Sequence, residues 1–133
     1  MAMPLRQLAA EFLAFAEKQG TTPFLLTAHR IVGICLLYLG DIVASLPHLE
    51  RTIELYDPAE HRSLATRFGQ DAEVHVLCYR SWAFWFLGYP KAALVDAHHA
   101  VHGAREINQA STLMNKLRAC FLRGLCSGHR ATR

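Results

Sequence analysis

One pattern occurs twice in this chain, as AHRIVGICLLYLGD in residues 28–41 and as VHVLCYRSWAFWFLGYPKAALVDAHHAV in residues 74–101. In each copy an apolar helical run ends at a glycine, Gly40 or Gly88, and an amphipathic run follows. Units of this kind cannot bury their apolar sides alone, so they stack on their neighbours. The repeat predicts an all-α fold, specifically an α-solenoid of antiparallel helix pairs.

Capping and breaking residues set the expected bounds of about six helices. The two pairs are predicted at about 22–56 and 71–108, preceded by an N-terminal helix at 4–19. An unpaired C-terminal helix is predicted at 109–127, before a third glycine turn. Residues 59–68 hold no clear period and predict a loop with one helical turn. No segment alternates with period two for long enough to form a strand, so residues 1–133 are predicted to be one tetratricopeptide-like domain.

Small residues predict where the helices of each pair approach most closely. Gly33 is expected opposite Ser45 in the first pair, and Ser81 opposite Ala93 in the second. Small side chains at such a contact allow ridges to pack into grooves.

Composition excludes several classes of protein. The chain has 133 residues, 52% of them hydrophobic, and a net charge of +3. Five basic residues and no acidic one lie in residues 116–133, which leaves the rest of the chain slightly acidic. Nucleic-acid binding needs a basic face with stacking aromatics on the folded body, and that pattern is missing.

Membrane insertion and disulfide bonding are also not expected. Arg30 and Arg80 interrupt the two longest apolar runs, and the N-terminus lacks the pattern of a signal peptide. The expected location is therefore the cytoplasm. The four cysteines form no CxxC pair and lie in apolar helical runs, so buried free thiols are expected. They are Cys35, Cys78, Cys120 and Cys126.

Both pairs resemble tetratricopeptide repeats. The residues that carry this resemblance are Gly33, Leu36, Gly40-Asp41, Leu49 and Asp57-Pro58 in the first pair, and Ser81, Phe84, Gly88, Ala93 and Ala100 in the second. The two turns are 48 positions apart, whereas the repeat has a period of about 34 residues.

The middle of the chain is similar to the repeat region of large bacterial adenylate-cyclase-like proteins, over about residues 8–115. The similar segments are YDPAEHR (56–62), ATRFGQD (65–71), YRSWA (79–83) and LGYP (87–90). This resemblance implies a regulatory or scaffolding module that binds other proteins.

Motifs for catalysis are missing from the sequence. No GxxxxGK[ST] loop, GxSxG elbow or HExxH pair occurs. His98 and His102 are spaced one helical turn apart beside His99, and a solvated helix face explains them better than a metal site. We therefore expect no enzyme activity, no cofactor and no metal.

Arg30 and Arg80 each lie within an otherwise apolar helix. A buried guanidinium is costly unless it is paired, so each is expected to reach a carboxylate or a row of backbone carbonyls. The candidate partners are Glu54, Asp57, Asp71 and Asp96. One interpretation is a structural ion pair, and the other is an anchor for an acidic group of a partner peptide.

The first helix of each pair is expected to line the concave side of the solenoid. The candidate partner-binding groove comprises Arg30, Ile34, Leu37, Tyr38, Tyr79, Trp82, Trp85 and Phe86. Aromatic residues and arginine are typical hot spots of protein interfaces, but the same aromatics could be core between the pairs. The main hypothesis is a non-catalytic protein-interaction module. The alternative is a sensor that holds a small molecule in an aromatic concave pocket.

The predicted helix at 109–127 lacks a partner helix. A terminal repeat needs a polar cap to stay soluble, and none follows this one. The sequence therefore predicts a homo-oligomer with contacts at Leu117, Phe121 and Leu125.

Overall fold

A computed structural model describes residues 2–61 and 71–107 of the chain. These ranges contain α1 (Ala2–Gln19), α2 (Thr22–Tyr38), α3 (Ile42–Leu55), α4 (Pro58–His61), α5 (Ala72–Phe86) and α6 (Pro90–Ile107). The described part of the chain holds no strand, which confirms the all-α prediction. The predicted helix at 109–127, the third glycine turn and the proposed oligomer contacts lie outside the described residues.

Two tight turns form the helix pairs. Gly40 has a φ angle of 84° and Gly88 one of 87°, a region that glycine enters without a steric penalty. After Gly40, the amide of Asp41 donates to the carbonyl of Leu36 at 2.9 Å, and the turn at Gly88 has the corresponding bond at 2.8 Å. This pairing of amides with the last carbonyls of a helix is the Schellman motif, and it reverses the chain at both sites.

The helices contact one another in the order that a stack of pairs requires. Helix α2 packs on α3, and α5 packs on α6. Helix α1 packs on α2 at one end of the stack, and α5 lies against both α3 and α2. This arrangement is compatible with the predicted solenoid.

Alanine-rich packing forms the largest part of the core, between α5 and α6. Val74 and Leu77 of α5 pack against a stripe of α6 that consists of Ala93, Ala97, Ala100, Val101 and Ala104. The four alanines are fully buried. Small side chains allow the two helices to approach closely, as the sequence predicted.

Leu49 and His48 lie closest to Gly33 across the first pair. A Cβ atom at Gly33 would lie 2.7 Å from Leu49 Cδ2 and 3.3 Å from His48 Cβ. The predicted neighbour, Ser45, is buried one helical turn before Leu49 on α3. Gly33 lies seven positions before Gly40 and Leu49 nine positions after it. Because both helices rise by the same distance per residue, positions at similar distances from the turn meet across an antiparallel pair.

The described helices include none that is both long enough and apolar enough to cross a membrane. Cys78 is buried as predicted, whereas Cys35 is half-buried. Burial raises the pKa of the Cys35 thiol. Cys120 and Cys126 lie outside the described residues.

Candidate interaction face

Helices α2 and α5 lie side by side and present one continuous surface, which we call the α2–α5 face. The predicted groove residues lie on these two helices: Arg30, Ile34, Leu37 and Tyr38 on α2, and Tyr79, Trp82, Trp85 and Phe86 on α5. Ring contacts and hydrogen bonds connect Arg30, Tyr38, Tyr79 and Trp82 around the contact of the helices. Most of them recur at intervals of three and four residues, which places these on neighbouring rows of a helix surface, whereas Tyr38 and Phe86 directly follow Leu37 and Trp85.

Tyrosine hydroxyls connect the two helices across this face. The hydroxyl groups of Tyr38 and Tyr79 are 3.0 Å apart, and their rings meet edge to face with centroids 5.9 Å apart. Tyr79 in turn meets Trp82 edge to face at 6.1 Å. Tyr79 is buried, whereas Tyr38 is 68% exposed, so a buried aromatic group holds an exposed one in place.

His75 belongs to the same cluster but was missed by the sequence analysis. Its ring packs edge-on against Tyr79 with centroids 5.1 Å apart. Its Nδ1 atom lies 3.5 Å from Nη1 of Arg30. The sequence could have indicated this contact, because His75 lies one helical turn before Tyr79 and the two side chains share a face of the helix.

Arg30 is the most unusual polar group of the face. Its side chain is almost fully buried, and its Nε atom has no hydrogen-bond partner among the described residues. Burial lowers the pKa of Arg30, and the negative charge of Asp71 acts in the opposite direction. The predicted hydrogen bond to a carboxylate is therefore wrong within the described ranges, where Asp71 acts on Arg30 only through its field. The Asp71 carboxylate instead accepts hydrogen bonds from Tyr56 and from the amide of Val74.

The remaining residues of the α2–α5 face differ in burial. Trp82 and Trp85 are half-buried and pack against the α5–α6 core. Ile34 and Leu37 are also half-buried, whereas Phe86 is 61% exposed. The face therefore combines side chains that support the core with exposed aromatics at Tyr38 and Phe86.

Arg80 pairs with Asp96, one of its predicted partners. Nε and Nη2 of Arg80 donate to the two carboxylate oxygens of Asp96 at 2.6 and 2.8 Å. The hydrogen bond to Asp96 raises the pKa of Arg80, while partial burial lowers it. The pair joins α5 to α6, so Arg80 fits the structural interpretation of the two arginines.

The histidines of α6 lie on its exposed side. His98, His99 and His102 are all exposed, and His102 Nε2 lies 3.2 Å from an oxygen of Glu106. Within residues 2–61 and 71–107, no three or more histidine, cysteine or acidic side chains are arranged to hold a metal ion.

A pair of histidines joins α2 to α3. The Nδ1 atoms of His29 and His48 are 3.1 Å apart, and the rings stack with centroids 5.4 Å apart. Burial lowers the pKa of both imidazoles, and His48 and Arg51 lower that of His29 further, while Glu17 raises it. Only one proton fits between two facing ring nitrogens, so at least one of the two imidazoles is neutral in this geometry.

This pair predicts a loss of stability on acidification. A histidine whose pKa is lower in the folded state binds more protons when unfolded, so stability rises with pH. The contribution of the pair should be complete above the ordinary pKa of 6.5 and should disappear as the pH falls below it. Urea unfolding of the wild-type chain and of His48→Gln, at steps between neutral and mildly acidic pH, measures this effect.

The His48→Gln variant should show a shallower decline of unfolding free energy with falling pH than the wild-type chain. The matched control is His98→Gln, because His98 is exposed and should leave the decline unchanged. Equal slopes in the wild-type chain and His48→Gln would contradict the prediction.

Comparison of the chain with known protein families, curated proteins and solved structures finds no match. The resemblance to tetratricopeptide repeats and to adenylate-cyclase-like proteins therefore stays a prediction from the sequence.

Proposed function

We infer that this chain is a non-catalytic protein-interaction module that binds a partner peptide along the α2–α5 face. The observation that carries the proposal is the buried guanidinium of Arg30, whose Nε atom has no hydrogen-bond partner among the described residues. A buried donor without a partner costs free energy. A carboxylate of the partner would offset this cost once the Arg30 side chain turns towards the surface to meet it. Arg30 is thus the proposed anchor for an acidic side chain or a C-terminal carboxylate.

Two exposed aromatic residues on the same two helices support a peptide as the ligand. Tyr38 and Phe86 are each more than half exposed and can cover apolar side chains of a bound segment. Their exposure favours an open groove over the closed pocket that a small-molecule sensor needs. The proposed ligand is therefore a peptide with an acidic group flanked by large apolar residues.

The resemblance found in the sequence supports a regulatory or scaffolding role in a signalling protein. We place the module in the cytoplasm and assign it no cofactor. The module would act by non-covalent binding and not by catalysis, since the sequence carries none of the catalytic motifs that were considered.

Binding of a peptide library tests the proposal. The library consists of fluorescent peptides with one aspartate, one glutamate or a free C-terminal carboxylate between leucine and phenylalanine residues. The wild-type chain should bind a subset of them. Arg30→Met should raise their dissociation constants by at least about tenfold, because it removes the partner of a desolvated carboxylate.

The matched control is Arg105→Met, which removes the same charge from an exposed position on α6. This variant should bind the peptides as the wild-type chain does. Arg30→Met should also keep its stability, since a buried charge without full hydrogen bonding is replaced by an apolar side chain. Failure of the wild-type chain to bind any peptide, or unchanged binding by Arg30→Met, would contradict the proposal.

A further inference from the structure

Helix α1 exposes an apolar seam on the side that does not pack against α2. The seam consists of Leu5, Leu8, Phe12 and Phe15, at intervals of three, four and three residues. Leu8 is 62% exposed and Phe15 is 51% exposed. This spacing is that of the contact positions in a coiled coil, where such a seam is covered by another helix.

Helix α2 adds a second wall to this surface. Phe24 and Ile31 of α2 are exposed, and they lie two helical turns apart on one side of the helix. Because α1 and α2 are antiparallel neighbours with a short connection, Phe15 lies at the level of Phe24, and Leu8 at the level of Ile31. The two rows form an apolar groove, which we call the α1–α2 groove.

The same kind of groove is filled elsewhere in the molecule. Helices α3 and α5 contact each other, and α2 lies in the groove between them. Helices α1 and α2 are the corresponding two helices one pair earlier in the chain. In the described part of the molecule the side chains of the α1–α2 groove are exposed except for Phe12, which is half-buried. A helix is therefore the shape that fits the groove.

We propose that the α1–α2 groove binds α1 of a second copy of this chain in a two-fold dimer. The charges beside the seam are self-complementary in this arrangement. Glu11 and Lys18 are exposed and occupy equivalent positions, seven residues apart, on the same edge of the seam. When two copies of α1 run antiparallel with Phe12 opposite Phe15, each Glu11 comes close to Lys18 of the other copy.

The charges also select this register over its neighbour. If Leu8 lay opposite Phe12, the two copies of Glu11 would approach each other across the two-fold axis. Like charges at that position are destabilising, so the shifted register is disfavoured. Glu11 also accepts a hydrogen bond from Gln7 of its own helix at 3.1 Å, which keeps its carboxylate at this edge.

Analytical ultracentrifugation of the full chain across the micromolar range tests the dimer. The wild-type chain should dimerise, and Leu8→Glu should be monomeric at the same concentrations while its circular dichroism stays helical. Leu8 is mostly exposed, so its replacement should not unfold the chain. The control is Ala10→Glu on an exposed part of α1 outside the seam, which should leave the dimer intact.

A charge exchange tests the register. Glu11→Lys and Lys18→Glu should each raise the dimer dissociation constant by about tenfold, because each replaces two attractive contacts by two repulsive ones. The double variant Glu11→Lys/Lys18→Glu should restore the wild-type dissociation constant. Recovery of this kind is expected only if the two residues face each other across the interface.

Three results would overturn the proposal. The first is a wild-type chain that stays monomeric, which would leave the groove to a different partner. The second is a dimer that survives Leu8→Glu but is lost in Phe121→Glu, which would place the contact at residues 117–125. The third is a double charge variant that dimerises no better than its two parents. None of these results depends on peptide binding at the α2–α5 face.

Discussion

Arg80→Met should lower the free energy of unfolding by about 3–5 kcal/mol, the cost of breaking a buried ion pair by removing one partner. Asp96 is almost fully buried, and in the variant its carboxylate would lose both hydrogen bonds from the guanidinium. Urea or guanidinium unfolding at neutral pH measures the change. An unfolding free energy equal to that of the wild-type chain would show that Arg80 does not stabilise the α5–α6 pair.

Two further variants separate the cost of an unpaired carboxylate from other effects. Arg80→Met/Asp96→Leu replaces the ion pair by apolar side chains and should recover most of the lost stability. Arg51→Met removes an arginine whose partner, Glu54, lies 3.1 Å away on the exposed side of α3. The loss there should stay within about 1 kcal/mol, since exposed ion pairs contribute little.

Leu49→Ala should cost about 2–5 kcal/mol, the range for truncating a buried leucine. Leu49 has no exposed surface and lies at the closest approach of α2 and α3. Its truncation would leave a cavity facing Gly33. Val43→Ala on the same helix is the control, because Val43 is 70% exposed and should change stability by no more than about 0.5 kcal/mol.

A double-mutant cycle tests whether Gly33 and Leu49 meet as described. Gly33→Leu alone should cost about 1–3 kcal/mol, because the new side chain overlaps Leu49. In Gly33→Leu/Leu49→Ala the larger residue would occupy the cavity left by the smaller one. The double variant should therefore lose less stability than the two single losses added together. Strict additivity would contradict the contact.

Local features of the fold could be predicted from the sequence. Gly40 and Gly88 end helices because a positive φ angle and the Schellman hydrogen bonds depend only on neighbouring residues. Asp41 and Asp71 begin helices because their side chains accept a hydrogen bond from a backbone amide three residues later. The helix bounds followed from these residues to within two positions.

Contacts within a pair were accessible to the sequence but were only partly used. Arg80 and Asp96 are each eight positions from Gly88, whereas Gly33 and Leu49 are seven and nine positions from Gly40. The tight turn sets the register of an antiparallel pair, so equidistant positions meet. The Arg80 pairing was among the predicted ones. For Gly33 the rule does not decide between Ser45 and Leu49, because they lie two positions on either side of the equidistant residue, Pro47.

Contacts between pairs were decided by the tertiary structure. Arg30 and Arg80 are each a single basic residue in an apolar helical run, ten positions before Gly40 and eight before Gly88. Among the described residues, Arg80 bonds a carboxylate of its own pair, and Arg30 bonds none. Arg30 faces α5, where His75 lies 3.5 Å away and Asp71 acts at longer range. How α5 lies on α2 depends on the summed packing of many side chains across a long connection, and no local rule encodes that sum. The sequence therefore determined the helices and their turns, whereas the packing of one pair on the next decided which arginine stays without a full set of partners.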